Sequence, residues 1–78
     1  MLPNLSYEDK ILSILKTKSL VNEINLSFLL KDDLKFDPMD FFDIILEIEQ
    51  FFSIELNDDD IYKIMTVADL IKNVQEKI

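Results

Sequence analysis

Several residue types are missing from this chain, and each absence excludes a kind of chemistry. Without cysteine, it can form neither a disulfide nor a thiolate metal site. Histidine, the usual general base and metal ligand, is also absent. All eight basic residues are lysines, so arginine's bidentate phosphate clamps are missing too. Since no serine lies in a recognisable arrangement with a base, we predict that the chain is not an enzyme.

Long apolar runs are absent as well. None approaches the roughly 20 residues of a membrane span, and residues 1–4 lack the basic start of a signal peptide. Acids outnumber lysines by 16 to eight, which gives a formal net charge of −8 at pH 7. Such a surface repels nucleic acid and attracts basic proteins. We therefore expect a cytoplasmic, monomeric protein that binds neither nucleic acid nor membranes.

The apolar spacing predicts a small all-α bundle. The 78 residues suffice for one domain, residues 1–78. Periodicity and capping residues predict a first helix from Tyr7 to Lys16 or Lys18 behind a Ser6 cap, and further helices over 38–52, 59–64 and 67–78. Residues 19–35 fit no period, so we expect a long loop with apolar anchors and a short helical turn near 28–30. Three main helices, one short helix and this loop make a four-helix bundle.

The start of the second helix is the most informative stretch. Asp37 is a favourable N-cap, and Pro38 suits the first helical position. Behind them, one arc of the helix forms the predicted core face: Phe41, Ile44, Ile45, Ile48 and Phe52. The far side carries an apolar strip of Met39, Phe42 and Leu46, set among acids. This strip could contact a basic partner, or it could pack under a neighbouring loop.

Three consecutive aspartates, Asp58 to Asp60, could suggest a calcium-binding site. An EF-hand spaces its ligands at alternate positions, with a glycine and a distal glutamate, and this chain has none of that pattern. We predict instead a helix start capped by Asn57 or Asp58, and no metal site.

The residues Asp33-Leu34-x-x-Asp37-x-Met39-Asp40 resemble the Asp-Leu-Gly-x-Asp-Ser-Leu-Asp signature of acyl carrier proteins. The similarity continues through residues 52–56 and 64–70, and covers more than half of the chain. Length, acidity and the four-helix layout match that family too. The resemblance implies the acyl-carrier-protein-like bundle and a carrier's place in fatty acid or polyketide biosynthesis.

In that family, a serine at the first helical position is esterified with 4′-phosphopantetheine. Pro38 stands at that position here and has no hydroxyl, so the resemblance predicts a lost attachment site and no cofactor. Lys35 replaces the family's usual glycine. Its positive charge would weaken the negative potential near the helix start. Ser27 and Ser53 are the nearest serines in sequence, and neither follows an aspartate at a helix start.

The resemblance also implies a docking face, because partner enzymes of the family grip this helix. The predicted docking residues are Asp37, Met39, Asp40, Phe42, Asp43, Leu46, Glu47 and Glu49. The expected partner is the basic surface of a carrier-dependent enzyme, such as an acyltransferase or a synthase. Two alternatives stay open: a genuine acyl or aminoacyl carrier with another attachment site or a non-covalent ligand, and an acidic inhibitor or nucleic-acid mimic.

Overall fold

Four α-helices joined by irregular segments make up the computed structural model, which describes residues 7–19 and 23–78. In chain order they are α1 (Tyr7–Lys18), α2 (Pro38–Phe52), α3 (Asp58–Lys63) and α4 (Val67–Lys77). The predicted four-helix, all-α architecture is therefore confirmed. The bounds of α2 match the prediction, and α3 begins one residue earlier than predicted. The proposed Ser6 cap lies outside the described residues.

Side-chain caps explain where three of these helices begin. At α2, Asp37 Oδ1 accepts the Asp40 N–H at 2.8 Å. At α3, Asn57 Oδ1 accepts the Asp60 N–H at 2.8 Å and Asp60 Oδ2 accepts the Asn57 N–H at 3.2 Å. A second capping box, formed by Thr66 and Asp69, starts α4. These bonds satisfy N–H groups that have no partner within their own helix.

The core lies where α1, α2 and α4 meet. Its most enclosed side chains are Ile11, Leu15, Ile44, Ile48, Val67, Leu70 and Val74. From the predicted core face of α2, Ile44, Ile45 and Ile48 are buried, whereas Phe41 and Phe52 are only partly buried against this cluster. The prediction of a core face is thus correct at its centre, and the two phenylalanines lie at its margins.

The long connection between α1 and α2 is fixed to the other end of the chain. Leu30 N–H donates to the Met65 carbonyl at 3.0 Å, and Val67 N–H donates to the Phe28 carbonyl at 3.0 Å. Leu29 and Thr66 form an isolated antiparallel bridge at this place. The expected helical turn near 28–30 is displaced to residues 30–33, because residues 28 and 29 pair with the α3–α4 connection instead.

Apolar anchors hold the rest of this connection, as the sequence predicts. Leu30, Leu34 and Phe36 are buried, and Ile24 and Phe28 are partly buried. The connection therefore lies against the bundle beside the N-terminus of α2, where it forms one wall of the candidate site.

Candidate functional site

The outer face of α2 carries three large apolar side chains in water. Met39 is 76% exposed, Phe42 55% and Leu46 54%. Packing of Phe42 and Leu46 under a neighbouring loop was the alternative interpretation of their spacing, and the described residues provide no such cover. A row of exposed large apolar side chains is a common feature of protein-binding surfaces.

The acidic residues around this strip differ in how far they are already engaged. Asp37 caps the helix through one carboxylate oxygen. Asp43 Oδ2 lies 3.7 Å from Lys18 Nζ, and the Asp43 side chain stays 56% exposed. Glu49 Oε2 accepts the Leu56 N–H at 2.8 Å, so this carboxylate holds the segment after α2 in place. Glu47 is exposed and Asp40 half-buried.

Pro38 lies at the first position of α2, directly behind the Asp37 cap. Its ring provides no nucleophilic or esterifiable atom. Ser27 lies in a turn of the long connection, and Ser53 follows the last residue of α2 in a left-handed conformation. Neither serine therefore occupies the first position of a helix.

The backbone next to this site is strained at Lys35, which has a φ of 62°. A side chain in the left-handed region brings its Cβ close to the backbone, at a cost of about 1 kcal/mol that glycine avoids. This explains why a glycine would suit the position, and why lysine is a costly substitute. Ser53, with a φ of 56°, has the same backbone geometry away from this site.

Replacing Lys35 with glycine is expected to raise the free energy of unfolding by about 0.5–1 kcal/mol, because it removes the backbone strain. The greater freedom of glycine in the unfolded chain offsets part of this gain. Urea denaturation followed by circular dichroism measures the change. Ser53→Gly is the matched control for the backbone effect and should give a gain of similar sign. If Lys35→Gly destabilises the chain, the lysine side chain stabilises the native state in another way.

A groove opens beside Pro38, between the long connection, the start of α2 and the end of α3. Its volume is about 880 Å³. The lining residues are Leu29, Leu30, Lys31, Asp32, Lys35, Phe36, Asp37, Pro38, Phe41, Phe42, Tyr62, Ile64 and Met65. Neither Tyr62, which is 84% exposed, nor Met65 was a predicted site residue. No sequence signal locates this groove, since it depends on how α3 packs beside α2.

The carboxylates of Asp69 and Asp60 stabilise α3 and the α3–α4 connection, which supply Tyr62, Ile64 and Met65 to the groove. The backbone N–H of Thr66 lowers the pKa of Asp69; partial burial opposes this, and the Met65 N–H adds to the lowering. Lys77 Nζ, 2.9 Å from Asp60 Oδ2, lowers the pKa of Asp60. Both groups are therefore ionised at neutral pH. Asp69 Oδ2 accepts the Met65 N–H at 3.1 Å and so fixes the backbone of this groove-lining residue.

The described residues include no cluster of three or more metal-ligating side chains. This part of the chain also has no helix long and apolar enough to cross a bilayer.

Comparison with known proteins decides the family. The model of the family described as "Phosphopantetheine attachment site" matches residues 10–74. The chain belongs to the acyl carrier protein family. It is 32% identical over 71 residues to the acyl carrier protein of Thermotoga maritima, a match that covers 88% of each chain. It is 31% identical over 77 residues to that of Chlamydia trachomatis serovar D, covering 94% of this chain and 97% of the other.

A solved structure agrees with this assignment. A candidate acyl carrier protein from Mycobacterium tuberculosis superimposes with a TM-score of 0.84 and 30% identity, over 90% of this chain and 96% of that one. Acyl carrier proteins are carriers rather than catalysts, and they interact with biosynthetic enzymes. The family normally carries 4′-phosphopantetheine.

Proposed function

We propose that this chain is an acyl carrier protein homologue without a phosphopantetheine attachment serine, which docks on and regulates a carrier-dependent enzyme. The observation that carries the proposal is Pro38 at the first position of α2, behind the Asp37 cap. A phosphopantetheine ester needs a hydroxyl at this place, and proline has none. The residue at this position therefore does not fit the prosthetic group.

Proline removes the covalent chemistry without removing the helix. Its φ suits the first helical position, and its missing N–H would have had no helical partner there. The Asp37–Asp40 cap is intact at 2.8 Å. With proline at this position, α2 can therefore present to a partner the same surface as a modified carrier does.

The docking surface consists of the exposed strip of α2 and its acids. Met39, Phe42 and Leu46 supply apolar contact area, and aromatic and methionine side chains are enriched at protein interfaces. The acids attract a basic partner and speed its association, an effect that salt weakens. An acyltransferase or synthase with a basic, notched surface would match this pattern. The interface of so small a protein would be limited in area and transient.

The acids in this proposal have separate tasks. Asp40, Asp43 and Glu47 supply charge towards the partner, and Asp37 contributes its second carboxylate oxygen. Glu49 lies at the edge of the surface and is bonded to the Leu56 N–H at 2.8 Å. Changing Glu49 would disturb the chain after α2, so a clean test of docking leaves it intact.

The test is an affinity pull-down from the native cell with wild-type protein and a Met39→Ala/Phe42→Ala/Asp43→Lys variant. We expect a carrier-dependent enzyme to bind wild type and to bind the variant at least tenfold more weakly, since two apolar contacts and an attractive charge are lost. A Phe51→Ala/Asp59→Lys variant is the control. It removes one exposed aromatic and makes the same charge change away from the strip.

The alternatives give different results in the same experiment. A genuine carrier with another attachment site would show an added mass on the recovered protein. A nucleic-acid mimic would lose its partner to competing nucleic acid and would not depend on Met39 or Leu46. Equal capture by the docking variant and the control would overturn the proposed surface.

A further inference from the structure

Methionine has an unusual distribution in this chain. The sequence contains three methionines, and the two that the structure describes, Met39 and Met65, are 76% and 62% exposed. Within residues 7–19 and 23–78, the buried side chains are those of isoleucine, leucine, phenylalanine and valine, and none is methionine. Methionine is ordinarily among the residue types most often buried. The core therefore contains no thioether, while the outer face of α2 presents one to water.

This distribution matters for oxidation, because peroxides attack the sulfur atoms of cysteine and methionine. The chain has no cysteine, so its oxidisable sulfur belongs to methionine alone. At Met39, the Sδ atom would take one oxygen atom from hydrogen peroxide as the O–O bond breaks, and the other oxygen atom leaves as water. The sulfur is oxidised by two electrons and the peroxide is reduced by two. The product, a sulfoxide, is polar where the thioether was apolar.

Met39 occupies a position where this change affects binding and spares the fold. It lies with Phe42 and Leu46 on the exposed strip of α2. A sulfoxide buried in an interface loses its hydration, which costs free energy unless the partner provides a hydrogen bond. Because the described core lacks methionine, the same oxidation leaves the packing of the bundle untouched. In the signature that this stretch resembles, the position of Met39 is occupied by leucine, which has no sulfur to oxidise.

We propose that Met39 Sδ is a reversible oxidation site through which peroxide weakens the docking of α2 on its partner. This rests on the docking role proposed above and adds a regulation of the same surface. Methionine sulfoxide reductases return the sulfoxide to the thioether, so the docking surface can be restored without new synthesis of the protein. A chain without cysteine thereby gains a response to oxidants.

The first experiment measures the modification without any partner. Purified protein is treated with hydrogen peroxide, and catalase then removes the remaining peroxide. Peptide mass spectrometry should show one added oxygen atom on Met39, and thermal unfolding followed by circular dichroism should be unchanged. A Met39 that stays unoxidised under conditions that oxidise Met65 would overturn the proposal, as would unfolding of the bundle on oxidation.

The second experiment uses the treated proteins as bait for the enzyme that untreated wild-type protein captures. Oxidised wild type should bind this enzyme about fivefold more weakly or worse, because a polar group has replaced an apolar contact. Treatment with methionine sulfoxide reductases A and B and dithiothreitol should restore the capture.

Two leucine variants assign the effect to one sulfur atom. Met39→Leu keeps an apolar side chain of similar volume, and its capture of the enzyme should be the same before and after peroxide treatment. Met65→Leu retains Met39 and should lose capture on oxidation as wild type does. Equal losses in oxidised wild type and oxidised Met39→Leu would overturn the switch and leave docking in place. If untreated wild type captures no carrier-dependent enzyme, the docking proposal fails, and the switch fails with it.

Discussion

Pro38→Ser is expected to turn this chain into a substrate for a phosphopantetheinyl transferase of broad carrier range. With coenzyme A present, the variant should gain the mass of one phosphopantetheine arm, while wild-type protein gains none. Asp37 already caps α2, and a serine at the first position of this helix would present a hydroxyl at the place that we propose is equivalent to the family's attachment site. Intact-mass spectrometry measures the change from no conversion to nearly complete conversion.

A matched control for this experiment is Met39→Ser, which places a hydroxyl one residue further along the same exposed helix start. We expect no added mass on that variant. We expect both variants to stay folded, because serine in the first turn of a helix should cost less than about 1 kcal/mol. Thermal unfolding followed by circular dichroism checks this. A folded Pro38→Ser protein that stays unmodified would show that Pro38 is not equivalent to the attachment serine.

Ile48→Ala is expected to lower the free energy of unfolding by about 3–4 kcal/mol. Ile48 is 0% exposed, and truncating a fully buried isoleucine costs about 2–5 kcal/mol through lost burial and the cavity left behind. Domains are commonly stable by only about 5–15 kcal/mol, so this change would remove a large share of the total. Urea denaturation followed by far-ultraviolet circular dichroism gives the value.

Leu46→Ala is the control on the other face of the same helix. Leu46 is 54% exposed, so its truncation should cost less than about 1 kcal/mol, and the high helix propensity of alanine offsets part of that. The same variant should weaken partner binding, which Ile48→Ala affects only through unfolding. Similar stability losses for the two variants would contradict the assignment of buried and docking faces on α2.

Caps and periodicity were sufficient to predict the helices. Pro38 behind Asp37 fixes the start of α2, and the Thr66–Asp69 pair fixes the start of α4, because both depend on contacts within four residues. The buried triplet Ile44, Ile45 and Ile48 followed from the spacing alone. These features are local, so a single sequence contains the information for them.

Features that depend on packing between distant segments could not be predicted. The groove needs α3 and the long connection placed beside α2, and the bonds between residues 28–30 and 65–67 that place them join positions far apart in the chain. Glu49 is a predicted docking residue, and its bond to the Leu56 N–H forms because the segment after α2 folds back onto the helix. The periodicity of α2 alone could not reveal either contact.

The most direct test of the account is the intact mass of wild-type protein recovered from its native cell together with the enzyme that it captures. An unmodified mass, with the enzyme lost only from the Met39→Ala/Phe42→Ala/Asp43→Lys variant, is the result that the account predicts. An added mass the size of a phosphopantetheine arm would contradict it and would show that the chain carries a group on one of its serines.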